Sequence, residues 1–271
     1  MPKRLFGLIG GSLSHSLSQK YFTKKFAELG LSNCKYTLFP ISEVSKVTNI
    51  IDGNPSLVGL NVTSPYKETI IPFLDELDAK VLKVGTVNVI KITRDGEYTH
   101  LKGYNTDIYG LRKTFEMLEV PAGCKALILG SGGSAKTAKV VLSEMGIAST
   151  NVSRHPETLD ELSYQKLTAK IIKDYKLIIN ATPVGMYPNV DEQPIHNCAI
   201  GRCGAVFDAV YNPLETVLVK RAKANGSKAV GGMSMLVWQA AVAQEIWHGK
   251  SFDKEDIDRL CIDAAEKLKS F

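Results

Sequence analysis

No CxxC pair, no HExxH helix and no GxSxG elbow occurs in the 271 residues. The first two absences argue against a zinc site of familiar spacing, and the third against the nucleophile turn of the α/β-hydrolases. Cys34, Cys124, Cys198, Cys203 and Cys261 are odd in number. They form no disulfide framework and fit a reducing cytoplasm. The histidines His15, His100, His155, His196 and His248 are equally dispersed, so no metal is expected. The 33 Lys+Arg and 28 Asp+Glu are interleaved without a basic block, which excludes a nucleic-acid-binding arm but leaves small anionic ligands open. No apolar span approaches the ~20 residues of a transmembrane helix, so no membrane is expected. The apolar run at 5–9 is interrupted by Gly7 and stopped by Gly10 and Gly11, too short for a signal-peptide core.

Hydrophobic residues at 44% and charged residues at 23% are ordinary for a globular chain, so disordered, collagen-like and coiled-coil classes are excluded. At roughly 150 residues per domain, the length allows one large core or two modest ones. Short β-rich runs at 4–9, 35–39 and 57–62 alternate with helical stretches at 16–29, 42–51 and 65–84. That alternation is the βαβ signature of a parallel sheet. Runs at 87–93 and 98–101 flank Asp95-Gly96, which predicts a hairpin. A helix is expected over 106–119, and Pro121-Ala122-Gly123 reads as the entrance to a second domain. There the spacing predicts strands at 125–129, 149–153, 176–181 and 205–210 and helices at 135–145, 233–247 and 253–268. The fold class is α/β: a mostly parallel N-terminal α/β domain followed by a Rossmann-type dinucleotide-binding domain, with a cleft between them.

Gly130-Ser131-Gly132-Gly133-Ser134-Ala135 follows an apolar strand and opens a helix. Glycines in that context allow a tight turn and close backbone approach to a pyrophosphate, whose charge the helix N-terminus binds. About 20 residues on, the next strand should end in an acid for a ribose hydroxyl or an Arg for a 2′-phosphate. This chain has Ser153-Arg154-His155 there, which favours NADP(H) over NAD(H). The run from Gly59 to Lys67 passes from a strand into the helix expected at 65, with Thr63 or Ser64 as N-cap and Pro65 at the first helical position. Lys67 would then stand in the first turn, where a cation opposes the helix dipole. An exposed lysine balanced by Glu68 and a functional lysine are equally good readings on that argument alone. Asp107 suits the first turn of its helix as an acid, and Asn105, Thr106 and Asp107 would lie beside an interdomain cleft. Ser14-His15-Ser16, at a strand-to-helix turn, fits anion binding better than nucleophilic chemistry. Gln239 shares a helix face with Met235, Val242, Ala243 and Ile246, so its amide should meet a ligand or a buried polar partner.

Taken together these residues resemble the shikimate dehydrogenase family over essentially the whole chain. Gly7 to Gly10, Ser14 to Ser18, Asn61 to Lys67, Asn105 to Asp107, Asn180 to Met186 and Met235 to Gln239 occur in the family's order. The resemblance implies reversible NADP-dependent reduction of 3-dehydroshikimate to shikimate, a step of chorismate and aromatic amino-acid biosynthesis. It implies Lys67 and Asp107 as the catalytic pair, and Ser14 and Ser16 on the substrate carboxylate. Thr63, Asn88, Asn105 and Gln239 would hold the ring hydroxyls, with Tyr211 beside the substrate. Around the cofactor it places the glycine turn, Ser153, Arg154 and His155, then Thr182, Pro183, Val184, Gly185 and Met186, and finally Ala209, Gly232 and Met235. Because Gln239 is then a substrate residue, the final helices return to the first domain, giving 1–104 with 236–271 for substrate and 105–235 for NADP(H). Departures from the family's usual residues are Ser12 and Gln19 for proline, Val89 for Thr, Ser131 and Ser134 for Ala, Ser153 for Asn and His155 for Thr.

The expected protein is a cytoplasmic monomer or homodimer. Alternatives are a quinate/shikimate dehydrogenase with broader cofactor use, a related enzyme acting on an aminated ring, and a non-catalytic NADP(H)-binding regulatory protein. The joint presence of Lys67, Asp107 and Gln239 weighs against the last.

Overall fold

The computed structural model describes residues 3–13, 16, 18–28, 30–195 and 204–249. The chain forms two compact units. Among the described residues the first comprises 3–106 and 242–249, and the second 107–195 and 204–241. The sequence reading placed the changes of domain after 104 and after 235. Ser14 and the helix expected at 253–268 lie outside the described residues.

In the first unit β1 (Arg4–Gly10) pairs in parallel with β2 (Cys34–Pro40) and with β3 (Leu57–Val62). The crossovers carry α1 (Ser18–Glu28) and α2 (Lys46–Asp52). The chain continues through β4 (Glu76–Leu77), α3 (Ala79–Val84), β5 (Val89–Asp95) and β6 (Tyr98–Tyr104). Strand order is β2-β1-β3-β5-β6-β4, with β5 antiparallel to both neighbours. The expected hairpin is present, its two-residue loop starting at Gly96 with a φ of 59° that favours glycine. Ile9, Leu57, Leu60, Ile70, Val81 and Ile90 are buried in one apolar cluster.

One expectation fails: 65–84 is not a helix. Residues 64–70 are turns, 71–73 a short 3₁₀ segment, and only 79–84 is α-helical. Pro72 would be an interior residue of the expected helix, where it cannot donate the backbone bond. The chain instead spends its polar groups on the β6 edge: Asp75 N donates to Leu101 O at 2.9 Å, Leu101 N to Asp75 Oδ2 at 2.7 Å, and Asp78 N to Gly103 O at 2.9 Å. Asp78 then caps α3, accepting from Lys80 N at 3.0 Å.

The second unit opens with α4 (Asp107–Met117), then β7 (Lys125–Leu129), α5 (Gly133–Glu144), β8 (Ala148–Ser153) and β9 (Leu162–Ser163). It continues with α6 (Ala169–Ile172), β10 (Leu177–Asn180), β11 (Ala205–Asp208), α7 (Val217–Ala224), β12 (Lys228–Val230) and α8 (Met233–His248). All pairings are parallel, in the order β12-β11-β10-β7-β8-β9. Counted from β7, this is the 3-2-1-4-5-6 order of a dinucleotide-binding sheet, whose topological switch point lies between β7 and β10. β9, α7 and β12 are additional to the elements expected from periodicity. The N-terminal part of α8 packs closely on α4, because a Cβ on Gly110 would stand 2.6 Å from the Met235 carbonyl oxygen. The C-terminal part belongs to the first unit. There the Trp247 indole lies 5.0 Å from Phe6 and 5.6 Å from Phe22 between centroids, and its N–H donates to Ile90 O at 3.0 Å.

Candidate active site

The polar centre of the first unit is built on the segment between α3 and β5. Lys67 stands in a turn, not on a helix, so the dipole argument for it falls. Its backbone is nevertheless anchored: Tyr66 N donates to Thr63 O at 3.0 Å, and the Lys67 carbonyl accepts from Val87 N at 2.7 Å. The next residue, Asn88, holds the other end of the unit. Its backbone N donates to Tyr104 O at 3.0 Å, its Oδ1 accepts from Thr106 N at 2.7 Å, and its Nδ2 donates to Thr106 Oγ1 at 3.0 Å. Asn105 Nδ2 donates to the hydroxyl and carbonyl of Thr86 at 2.8 and 3.0 Å. The stretch 86–88 therefore ties the backbone of Lys67 to the residues that immediately precede Asp107. Asp107 itself is buried, at the first position of α4.

Thr63 donates its backbone N–H to Ile9 O at 2.9 Å, bringing it beside Gly10, where a Cβ would stand 2.5 Å from Thr63 Cγ2. Ser16 Oγ accepts from Ser18 N at 3.2 Å, so this hydroxyl also supports the start of α1. Behind these residues Tyr36 donates to Asn61 Oδ1 at 2.6 Å, and burial pushes its phenol well above its ordinary range. Neither Tyr36 nor Asn61 carries a local sequence signal for this pairing, because the two stand 25 positions apart on β2 and β3.

In the second unit the glycine turn stands at the switch point. Gly130 has a φ of 112°, and a Cβ there would lie 3.0 Å from Thr182 Cγ2 and 3.2 Å from Ala181 O. Two segments expected at the cofactor, 130–135 and 182–186, are thus brought together. Gly132 starts α5 without any side-chain cap, and a Cβ on it would meet nothing within 4 Å. Open space above an uncapped helix start fits a pyrophosphate. Asn151 supports the turn from β8, donating to Gly130 O at 3.0 Å.

At the end of β8 the Ser153 hydroxyl accepts from His155 N at 3.1 Å and donates to His155 O at 3.0 Å, which shapes the turn carrying the exposed Arg154. Burial raises the pKa of Tyr164, while the charge of Arg154 opposes the rise. Ala209 and Gly232 are also neighbours, since a Cβ on Gly232 would run into the Ala209 carbonyl. Tyr211 and Gln239 are partly buried, and Met235 is buried. Gln239 Nε2 donates to Leu236 O at 2.9 Å. Asn180, Asp208 and Thr216 form a buried cluster to which the sequence reading gave no role. The signal for it was a polar residue ending each of two apolar strands.

Among the described residues no group of three His, Cys, Asp or Glu is placed to hold a metal ion. No described helix is long and apolar enough to cross a membrane.

The profile of the shikimate dehydrogenase substrate-binding domain matches residues 8–90. A shikimate dehydrogenase (NADP(+)) from Methanocaldococcus jannaschii is 36% identical, with 97% of this chain and 98% of the relative covered. The crystal structure of shikimate dehydrogenase 1 from Peptoclostridium difficile superposes with a TM-score of 0.85 at 34% identity, covering 98% of this chain and 99% of that one. A shikimate 5-dehydrogenase from Thermus thermophilus, solved in complex with NADP(H) and shikimate, gives 0.80 at 26% identity, covering 96% and 99%. With a substrate-domain match and relatives spanning nearly its full length, the chain belongs to the shikimate dehydrogenase family.

Proposed function

We propose a residue-level account of the reaction that family membership supplies, the reversible NADP-dependent interconversion of 3-dehydroshikimate and shikimate. The observation that carries it is the 86–88 stretch, which anchors the Lys67 backbone through Val87 and Thr106 through Asn88. In the direction of reduction, bound NADPH supplies a hydride to the ketone carbon. Lys67 gives a proton to the ketone oxygen, and Asp107 orients the ammonium. In the reverse direction Lys67 takes the proton from the hydroxyl.

Ser14 and Ser16 bind the substrate carboxylate through their hydroxyls, while Thr63, Asn88, Asn105, Tyr211 and Gln239 sort the ring hydroxyls. Gly130 to Ala135 hold the pyrophosphate. Ser153, Arg154 and His155 take the adenosine side, and Thr182 to Met186 with Ala209, Gly232 and Met235 border the nicotinamide. The functional division is 1–104 with 236–271 for substrate and 105–235 for NADP(H), in a cytoplasmic monomer or homodimer.

The test follows absorbance of reduced nicotinamide with shikimate or quinate as substrate and NADP+ or NAD+ as cofactor. Turnover is expected with shikimate and NADP+, and no turnover in any combination would leave a non-catalytic NADP(H) binder. The adenosine-side assignment has its own test. A guanidinium paired with a phosphate contributes a strong charge-assisted bond. Arg154→Ala should therefore raise KM for NADPH by about 10- to 100-fold and change KM for NADH by less than about twofold. Equal changes for both cofactors would remove the 2′-phosphate role.

A further inference from the structure

Two apolar strands of the second unit each end in a polar residue. β10 reads Leu177-Ile178-Ile179-Asn180 and β11 reads Ala205-Val206-Phe207-Asp208, and Asn180 and Asp208 are paired in register and fully buried. A carboxylate in a core costs free energy unless its oxygens are matched by donors. Here they are. Asp208 Oδ1 accepts from Asn180 Nδ2 at 2.9 Å and from Val210 N at 3.0 Å, and Oδ2 accepts from Thr216 Oγ1 at 2.6 Å.

Asn180 passes this order on. Its Nδ2 also donates to Val184 O at 3.1 Å, and its Oδ1 accepts from Thr182 N at 3.1 Å and Thr182 Oγ1 at 2.6 Å. A carboxylate can only accept, so it dictates which end of the Asn180 amide faces it. The amide oxygen is thereby turned toward Thr182. The Val184 carbonyl and the Thr182 N–H select the same orientation, so the carboxylate strengthens a choice that the backbone also makes.

We propose that Asp208 is a positioning residue for the cofactor: its carboxylate, acting through Asn180 and Val210, sets the two segments 181–186 and 209–211 at the carboxyl ends of β10 and β11. The proposal rests on the reading that these segments border the nicotinamide. The geometry has a titrating consequence, because burial pushes the Asp208 carboxyl up to about 6, with its three donors opposing the rise. Asp208 shares its sheet face with Val206, on the side of α7. The charged groups of the flanking elements, Lys220, Arg221 and Lys223 on α7, Lys228 on β12, and Glu215 and Glu192 on the loops, are all exposed. Among the described residues, no Lys, Arg or His bonds the carboxylate. Its protonation below about pH 6 weakens the charge-assisted bonds that orient Asn180.

The experiment compares wild type with Asp208→Asn, using NADP+ dissociation constants from calorimetry between pH 5 and 8, steady-state kinetics and melting temperature. Asp208→Asn should raise Kd for NADP+ about tenfold at pH 8 and lower kcat, while KM for shikimate stays within about twofold. Wild-type affinity should fall as pH drops through about 6, with the variant's profile flatter there. The 2′-phosphate of NADP+ titrates alike in both proteins, so the difference between profiles isolates Asp208. A purely structural role would lower the melting temperature and leave Kd and its pH profile unchanged, which would overturn the proposal. If Asp208→Asn does not fold, Thr216→Val removes one donor, and an unchanged Kd there would overturn it equally. Wild type that binds NADP+ without oxidising shikimate would instead refute the catalytic reading, and the Kd comparison would still judge Asp208.

Discussion

A Lys67→Ala variant is expected to lose about 10²- to 10⁴-fold in kcat for shikimate oxidation, with KM for shikimate changed by less than about fivefold. The hydroxyl proton must leave as hydride leaves the carbon, and no other residue is assigned to take it. The variant should still fold. What fixes position 67 is its carbonyl, which accepts from Val87 N, and that bond survives loss of the side chain. Melting temperature should nevertheless fall by several degrees, because the buried Asp107 loses the ammonium it orients. A variant that keeps wild-type kcat would remove Lys67 from the reaction.

Gly130→Ala should lower stability by about 2–4 kcal/mol, because an L side chain at a φ of 112° is strained and its methyl meets Thr182 and Ala181. At ~2–4 °C per kcal/mol for a chain of this size, the melting temperature should fall by roughly 5–15 °C. Affinity for NADP+ should fall with it by at least about tenfold, because the same contact holds the glycine turn against the 182–186 segment. Gly132→Ala is the informative contrast. Its methyl would enter open space, so stability should drop by less than about 1 kcal/mol while NADP+ affinity still falls. Equal melting temperatures for the two variants would show that the close approach at Gly130 is not what holds the turn.

Much of this molecule was legible as pattern. The β-rich runs became β1, β2, β3, β7, β8, β10 and β11 nearly where periodicity placed them. The glycine turn was readable because its strand and helix flank it in sequence. Lys67 was singled out for a reason that did not survive, since Pro72, Asp75 and Asp78 break the helix on which its dipole argument depended. Family order, not local helix rules, kept it among the site residues.

The Asp208–Asn180 pair was out of reach for a different reason. Its members stand 28 positions apart, and only the parallel register of β10 and β11 makes them neighbours. Asn88 and Thr106, 18 apart, meet in the same way, through the hairpin that returns the chain to Tyr104. Sequence by itself determined the element types, the dinucleotide turn and the family, because these depend on periodicity and on contiguous motifs. Tertiary structure alone decided which polar groups are buried together and which donors each acceptor receives, because hydrogen-bond partners are chosen by strand register and turn geometry rather than by distance along the chain.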